Sequence, residues 1–208
     1  MQARLEELES TEETEFKSIL YNNGIFHRDE YKLRIGTGAT MRRIVTEDDY
    51  YQVMALFGDG IDNVQIFADY IATLFRELVF DKDVGKSMKK LEAGFINRRH
   101  EILYHLYCIN KEIPKIIKKY GLMDNQMLGE KLSIPCSPER KRELVEEKLS
   151  KKVDSGEKIK CELHTKMEKI GSRAPDRIYF CASIPKGITL AGKNIENKIY
   201  IYKITEHA

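Results

Sequence analysis

One apolar seam constrains this chain more than any other feature. Met88, Leu91, Phe95, Ile102, Leu106 and Ile109 follow a three-four spacing that continues through Ile113, Ile116 and Tyr120. That period describes a helix with one buried stripe. The helix is expected to begin after Asp81-Lys82-Asp83. Pro114 has no backbone N–H to donate, so the helix should break near residues 110–113 and restart with Pro114 in its first turn. Gly121 is its natural stop. A seam this regular packs on another helix, either inside the protein or across a homodimer through residues 88–120.

Upstream, Thr46 is a good N-cap, with Glu47, Asp48 and Asp49 in the first turn of a helix ending at Gly58-Asp59-Gly60. Asp62 is expected to cap the next helix, with Gln65 completing a capping box and Ile61 and Ile66 forming a staple. Val64, Phe67, Tyr70, Ile71, Leu74, Phe75 and Leu78 give that helix a broad apolar face. Nearer the start, residues 2–20 read as an amphipathic helix and residues 31–45 as a β-hairpin around Gly36-Thr37-Gly38.

Towards the C-terminus, Ser137 is read as the cap of a last helix, with Pro138 at its first position, running to about Val153. The period then changes to two. Lys158 to His164, Arg177 to Ala182 and Lys198 to Ile204 read as strands. The expected fold class is therefore α+β: a predominantly helical body with a small antiparallel β-sheet at the C-terminus. The expected division is 1–155 for the helical body with its hairpin, and 156–208 for the β-rich module. If the hairpin joins that sheet, the whole chain is one continuous domain.

Composition bounds the setting. The 208 residues are 42% hydrophobic and 33% charged, as in an ordinary folded protein. No stretch approaches the roughly 18 apolar residues of a membrane span, so no membrane partner is expected. The start, Met1 to Ser10, is acidic and unlike a signal peptide, which predicts a cytoplasmic protein. Cys108, Cys136, Cys161 and Cys181 are scattered and read as buried thiols. Charge is uneven: residues 1–80 carry 8 Lys/Arg against 15 Asp/Glu, and the remainder 27 against 18. The basic second part fits either a binding preference for anions or packing against the acidic part.

Familiar chemical motifs fail on geometry. Gly85-Lys86-Ser87 resembles the end of a phosphate-binding loop, but Phe80 stands where the loop needs glycine, and the preceding segment reads as helix. His100 and His105 are five apart, which places their rings about 140° apart on a helix, unlike a zinc pair. His105 and Cys108 share a face and read as a partly buried histidine beside a core thiol. Asp59 to Asn63 has calcium-like letters without the alternating oxygen ligands. Neither a metal nor a cofactor is implied.

Residues 114–132 partly fit a helix-turn-helix around Gly121. Ile117 occupies a position that usually needs a small residue, and the second helix offers only Lys131 as a cation. Lys115, Lys118, Lys119 and Lys131, followed by Arg140, Lys141 and Arg142, are the candidate nucleic-acid-binding residues. The glutamates interleaved with the later ones equally describe a solvated, salt-bridged helix face.

In the β-rich module, His164, Arg173, Arg177 and Tyr179 are the candidate catalytic residues. A strand histidine, a strand tyrosine and the late Glu206 resemble those of small ADP-ribosyltransferase-like folds, over about a quarter of the chain. The resemblance implies an enzyme acting on a nucleotide or nucleic acid. Read without it, Tyr179, Tyr200 and Tyr202 are cross-strand packing residues. The leading expectation is a non-enzymatic binding or regulatory protein contacting a macromolecular partner, protein or nucleic acid. The alternatives are the nucleotide- or nucleic-acid-directed enzyme and a helix-turn-helix DNA-binding regulator.

Overall fold

The computed structural model describes residues 32–34, 41–43, 47–75, 77–172 and 174–207. The chain forms two compact units, Met1–Phe57 and Gly58–Ala208. In the first, β1 (Lys32–Arg34) pairs antiparallel with β2 (Met41–Arg43) in a ladder of their own, and α1 (Glu47–Asp59) follows, its last two residues counted with the second unit. The expected helix over residues 2–20 lies outside the described residues.

The second unit is organised on a sheet, which corrects the expected fold class. Five strands run in the order β3-β11-β8-β7-β4: β3 (Leu78–Phe80), β11 (Ile199–Thr205), β8 (Arg177–Cys181), β7 (Leu163–Lys166) and β4 (Cys136–Pro138). The sheet is mixed, because β3 pairs parallel with β11 while the other neighbours are antiparallel. It also draws strands from the middle of the chain, so it is neither small nor confined to the C-terminus. Leu78–Phe80 is a three-residue apolar run, too short for its period to tell strand from helix end. Ser137 faces His164 in the β4–β7 ladder and caps no helix. Pro138 is tolerated there because β4 is an edge strand.

Helices cover both faces of the sheet. Thr165 of β7 meets His105 of α4 (Phe95–Tyr120) on one face. Tyr179 of β8 packs with Val145 of α6 (Arg142–Lys148) and with Leu149 on the other. The alternation of strand side chains separates the two sets. The remaining elements of this unit are α2 (Val64–Leu74), α3 (Val84–Met88), α5 (Asn125–Lys131), β5 (Ser150–Lys152), β6 (Lys158–Lys160), β9 (Thr189–Leu190) and β10 (Lys193–Asn194). β5 pairs with β6, and β9 with β10, as separate ladders. No described helix is long and apolar enough to cross a membrane.

Two local expectations shift. The cap of α2 is Asn63, whose side chain accepts from the Gln65 and Ile66 amides, while Asp62 instead pairs with Arg99 at 2.6 Å. Ile66 is 59% exposed and forms no buried staple. The seam helix divides elsewhere than expected: α3 ends at Met88, and α4 starts after Gly94, whose φ is +78°. It then runs unbroken through Pro114 to Gly121.

Burial explains that continuity. Ile109, Ile113 and Ile116 are buried along α4. Each gains about 1.5–3 kcal/mol on burial, together more than the ~3 kcal/mol a proline costs inside a helix. Pro114 itself is exposed. Pro114→Ala is therefore expected to restore an intrahelical hydrogen bond and raise stability by about 1–3 kcal/mol in urea denaturation. An unchanged or lowered midpoint would show that the helix is adapted to its proline.

Candidate functional site

The sheet brings together three of the four candidate catalytic residues. His164 and Tyr179 are cross-strand partners, with ring centroids 5.3 Å apart. Arg177 lies within 3.3 Å of both the Tyr179 hydroxyl and a Glu139 carboxylate oxygen. Arg173 lies outside the described residues. Burial, and next the Arg177 charge, push the His164 imidazole down to about 4, so it is neutral at physiological pH. Neither of its ring nitrogens, nor Arg177 Nε, has a well-aligned hydrogen-bond partner. A neutral imidazole beside a guanidinium could in principle accept a proton. Yet His164, Arg177 and Tyr179 are 3%, 8% and 0% exposed, so the cluster offers a substrate no open face.

The basic residues of α4 and α5 form a different kind of surface. α4 ends at Gly121, and α5 begins after Asp124, whose carboxylate caps the Met127 amide at 2.9 Å. Lys119 and Lys131 both lie over the Tyr120 ring, at 4.9 Å and 4.4 Å from its centroid. Tyr120, Leu122 and Met127 are 52%, 76% and 50% exposed. Among the described residues, none of Lys115, Lys118, Lys119 and Lys131 pairs with a carboxylate. Two of these cations, Lys119 and Lys131, therefore flank one exposed aromatic ring, while Lys115 and Lys118 stand elsewhere on the last turns of α4.

The helix-turn-helix resemblance weakens at the same place. α5 has only seven residues. The polar side chains at its start are engaged: Asn125 donates to Glu162 at 2.6 Å and Gln126 to Glu130 at 2.6 Å. Each amide is thereby held by a carboxylate of this chain and turned away from the bidentate pairing that reads a base edge. Arg140, Lys141 and Arg142 are exposed on the link from β4 into α6. Glu139 accepts from the backbone amides of Arg140 and Lys141. Among the described residues, no hydrogen bond or ion pair joins their side chains to the α4–α5 corner.

The sequence reading missed a third site. A cleft of about 210 Å3 opens between α3 and β11. Its charged lining is Asp81, Asp83, Lys86, Lys90, Lys151 and Lys203. Asp81 follows β3, a strand where the sequence reading placed a helix, so Gly85-Lys86-Ser87 does follow a strand and open a helix. Gly85 nevertheless serves packing: a Cβ there would meet Gln65 Oε1 at 2.8 Å and the Ala68 Cβ at 3.4 Å. The cleft lysines come from three distant segments, so no local pattern announced them.

Comparison of the chain with protein-family models, curated proteins and solved structures gives no match.

Proposed function

We propose that this is a non-enzymatic binding or regulatory protein of the cytoplasm that docks an acidic protein segment carrying apolar side chains. The observation that carries the reading is the α4–α5 corner. Lys119 and Lys131 flank the exposed Tyr120 ring, Leu122 and Met127 are exposed in the residues that follow it, and Lys115, Lys118, Lys119 and Lys131 pair with no carboxylate among the described residues. Tyrosine and methionine are enriched at protein interfaces, and large exposed apolar groups in one place mark them. The cationic rim would steer and select an acidic partner.

A homodimer through residues 88–120 lacks support, because Met88, Leu91, Ile102, Leu106, Ile109, Ile113 and Ile116 are all buried within the chain. A nucleic-acid partner is less well supported, since Leu122 and Met127 have nothing to offer a phosphate backbone.

Affinity capture with the full chain tests the reading. The triple charge reversal K118E/K119E/K131E should reduce recovery of a specific protein by about tenfold or more, whether or not nuclease is present. Equal recovery by the variant would overturn the proposal. Recovery abolished by nuclease would do so too, in favour of nucleic acid.

A further inference from the structure

The cleft between α3 and β11 has a charge arrangement that its own residues do not balance. Asp81 is buried and accepts from Lys151 Nζ at 2.6 Å, from the Tyr200 hydroxyl at 2.5 Å and from the Asp83 amide at 2.9 Å. Asp83 pairs with Lys86 at 2.6 Å. Each carboxylate therefore already holds one lysine. Lys90 and Lys203 remain. Lys90 has no carboxylate partner among the described residues. Lys203 Nζ donates to the Lys148 carbonyl at 2.6 Å and lies 4.6 Å from the Tyr202 ring centroid.

Two surplus ammonium groups thus share one concave site. Burial, and then the charge of Lys90, lower the Lys203 ammonium below its ordinary range, against a smaller opposing pull from Asp81. An incoming anion would relieve that repulsion. Lys203 is half-buried on a central strand, with its neighbour Tyr202 on the same cleft. The Tyr202 hydroxyl has no hydrogen-bond partner among the described residues and can donate to a ligand. Lysine is a good point-charge ligand for phosphate, and a phosphoryl group carries about two negative charges at neutral pH. A volume of about 210 Å3 is small beside the roughly 300–1,000 Å3 of pockets that enclose whole small molecules, and suits one or two phosphoryl groups.

We infer that this cleft binds a phosphoryl dianion, free or at the end of a larger molecule, with Lys90 and Lys203 as its principal ligands and Tyr202 as a hydroxyl donor. The site shares no residue with the α4–α5 corner, so either proposal can fail alone. Its geometry differs from a phosphate-binding loop, because side-chain ammonium groups take the place of wrapped backbone amides.

Calorimetric titration of the full chain with inorganic phosphate, pyrophosphate and ADP tests it. Saturable one-to-one binding is expected, weakened about tenfold by Lys90→Ala and similarly by Lys203→Met, as for loss of one hydrogen bond to a charged group. Tyr202→Phe should weaken it less. Lys193→Ala on β10 should leave it unchanged. Lys90 and Tyr202 report on the site even if Lys203→Met fails to fold. Tighter binding of ADP than of pyrophosphate would assign the dianion to a nucleotide, and equal binding to the bare phosphoryl group. Absence of saturable binding to all three probes at millimolar concentration would overturn the inference. Equal weakening by Lys193→Ala would do the same.

Discussion

Asp176→Ala is expected to lower unfolding stability by about 3–5 kcal/mol, the usual result of removing one partner from a buried ion pair. Asp176 is fully buried, and its carboxylate accepts from Arg98 Nε at 2.8 Å and from the Glu92 and Ala93 amides at 2.9 Å and 3.4 Å. Arg98, 4% exposed at its side chain, also reaches Glu101 at 2.5 Å and the Glu168 carbonyl at 2.7 Å. These bonds tie the entry of α4 to the segment that leads into β8. The alanine leaves a buried guanidinium short of a charge and strips the bond from two backbone amides. Net stabilities are only about 5–15 kcal/mol, so the loss would be plain in urea denaturation. The double replacement R98M/D176L should lose less than Asp176→Ala, because the charge left without Arg98 is that of Glu101, which is 24% exposed, and no fully buried charge is left unpaired. A loss below about 1 kcal/mol for the single alanine would show that the pair does not hold this junction.

Acidification should act nearly as strongly. Burial holds the imidazoles of both His105 and His164 at about 4 in the folded chain. The unfolded value is about 6.5, so between these limits the unfolded chain binds more protons than the folded one. Stability is then fully present above about pH 6.5 and is lost as pH falls towards 4. At pH 5 each histidine contributes a loss of about 2 kcal/mol relative to pH 7.5. His164→Phe isolates one of them. The ring already packs on Tyr179, and neither of its nitrogens has a well-aligned partner. The variant should stay within about 1.5 kcal/mol of the parent at pH 7.5 and lose about 2 kcal/mol less on going to pH 5. His105 is a poorer choice, because it bonds Thr165 at 2.9 Å. An unchanged pH dependence in His164→Phe would mean that the fold protonates His164 as readily as the unfolded chain does, against burial as the cause of its lowered value.

Features carried by long periodic segments were legible in the sequence. The α4 seam, its end at Gly121 and the strand Ile199–Thr205 each follow from many residues agreeing on one period. What failed rested on short signals. Ser137-Pro138 reads as a helix start as readily as an edge strand, and only the partner strand at Leu163 and His164 decides. Pro114 predicts a break because its cost is local, while the burial that offsets it comes from the rest of the fold. Leu78–Phe80 needed β11, more than a hundred residues later, to become a strand.

The sites divide in the same way. Lys115, Lys118 and Lys119 stand on one helical turn and could be grouped from their spacing. The pairing of His164 with Tyr179 depends on strand register, which the sequence did not specify, and Tyr179 is buried against Val145 of α6 and Leu149. The lysine cleft was invisible because Lys86, Lys90, Lys151 and Lys203 meet only once the sheet has formed.

The docking role proposed for the α4–α5 corner is tested most directly by photo-crosslinking in the native cell. p-Benzoylphenylalanine would replace Leu122, with a control at Ile66 on α2, which is 59% exposed. The predicted result is a discrete protein adduct from position 122, resistant to nuclease, absent from position 66 and lost when K118E/K119E is added. No adduct at position 122, an adduct removed by nuclease, or one that persists after charge reversal would contradict a basic, apolar docking surface for an acidic protein segment.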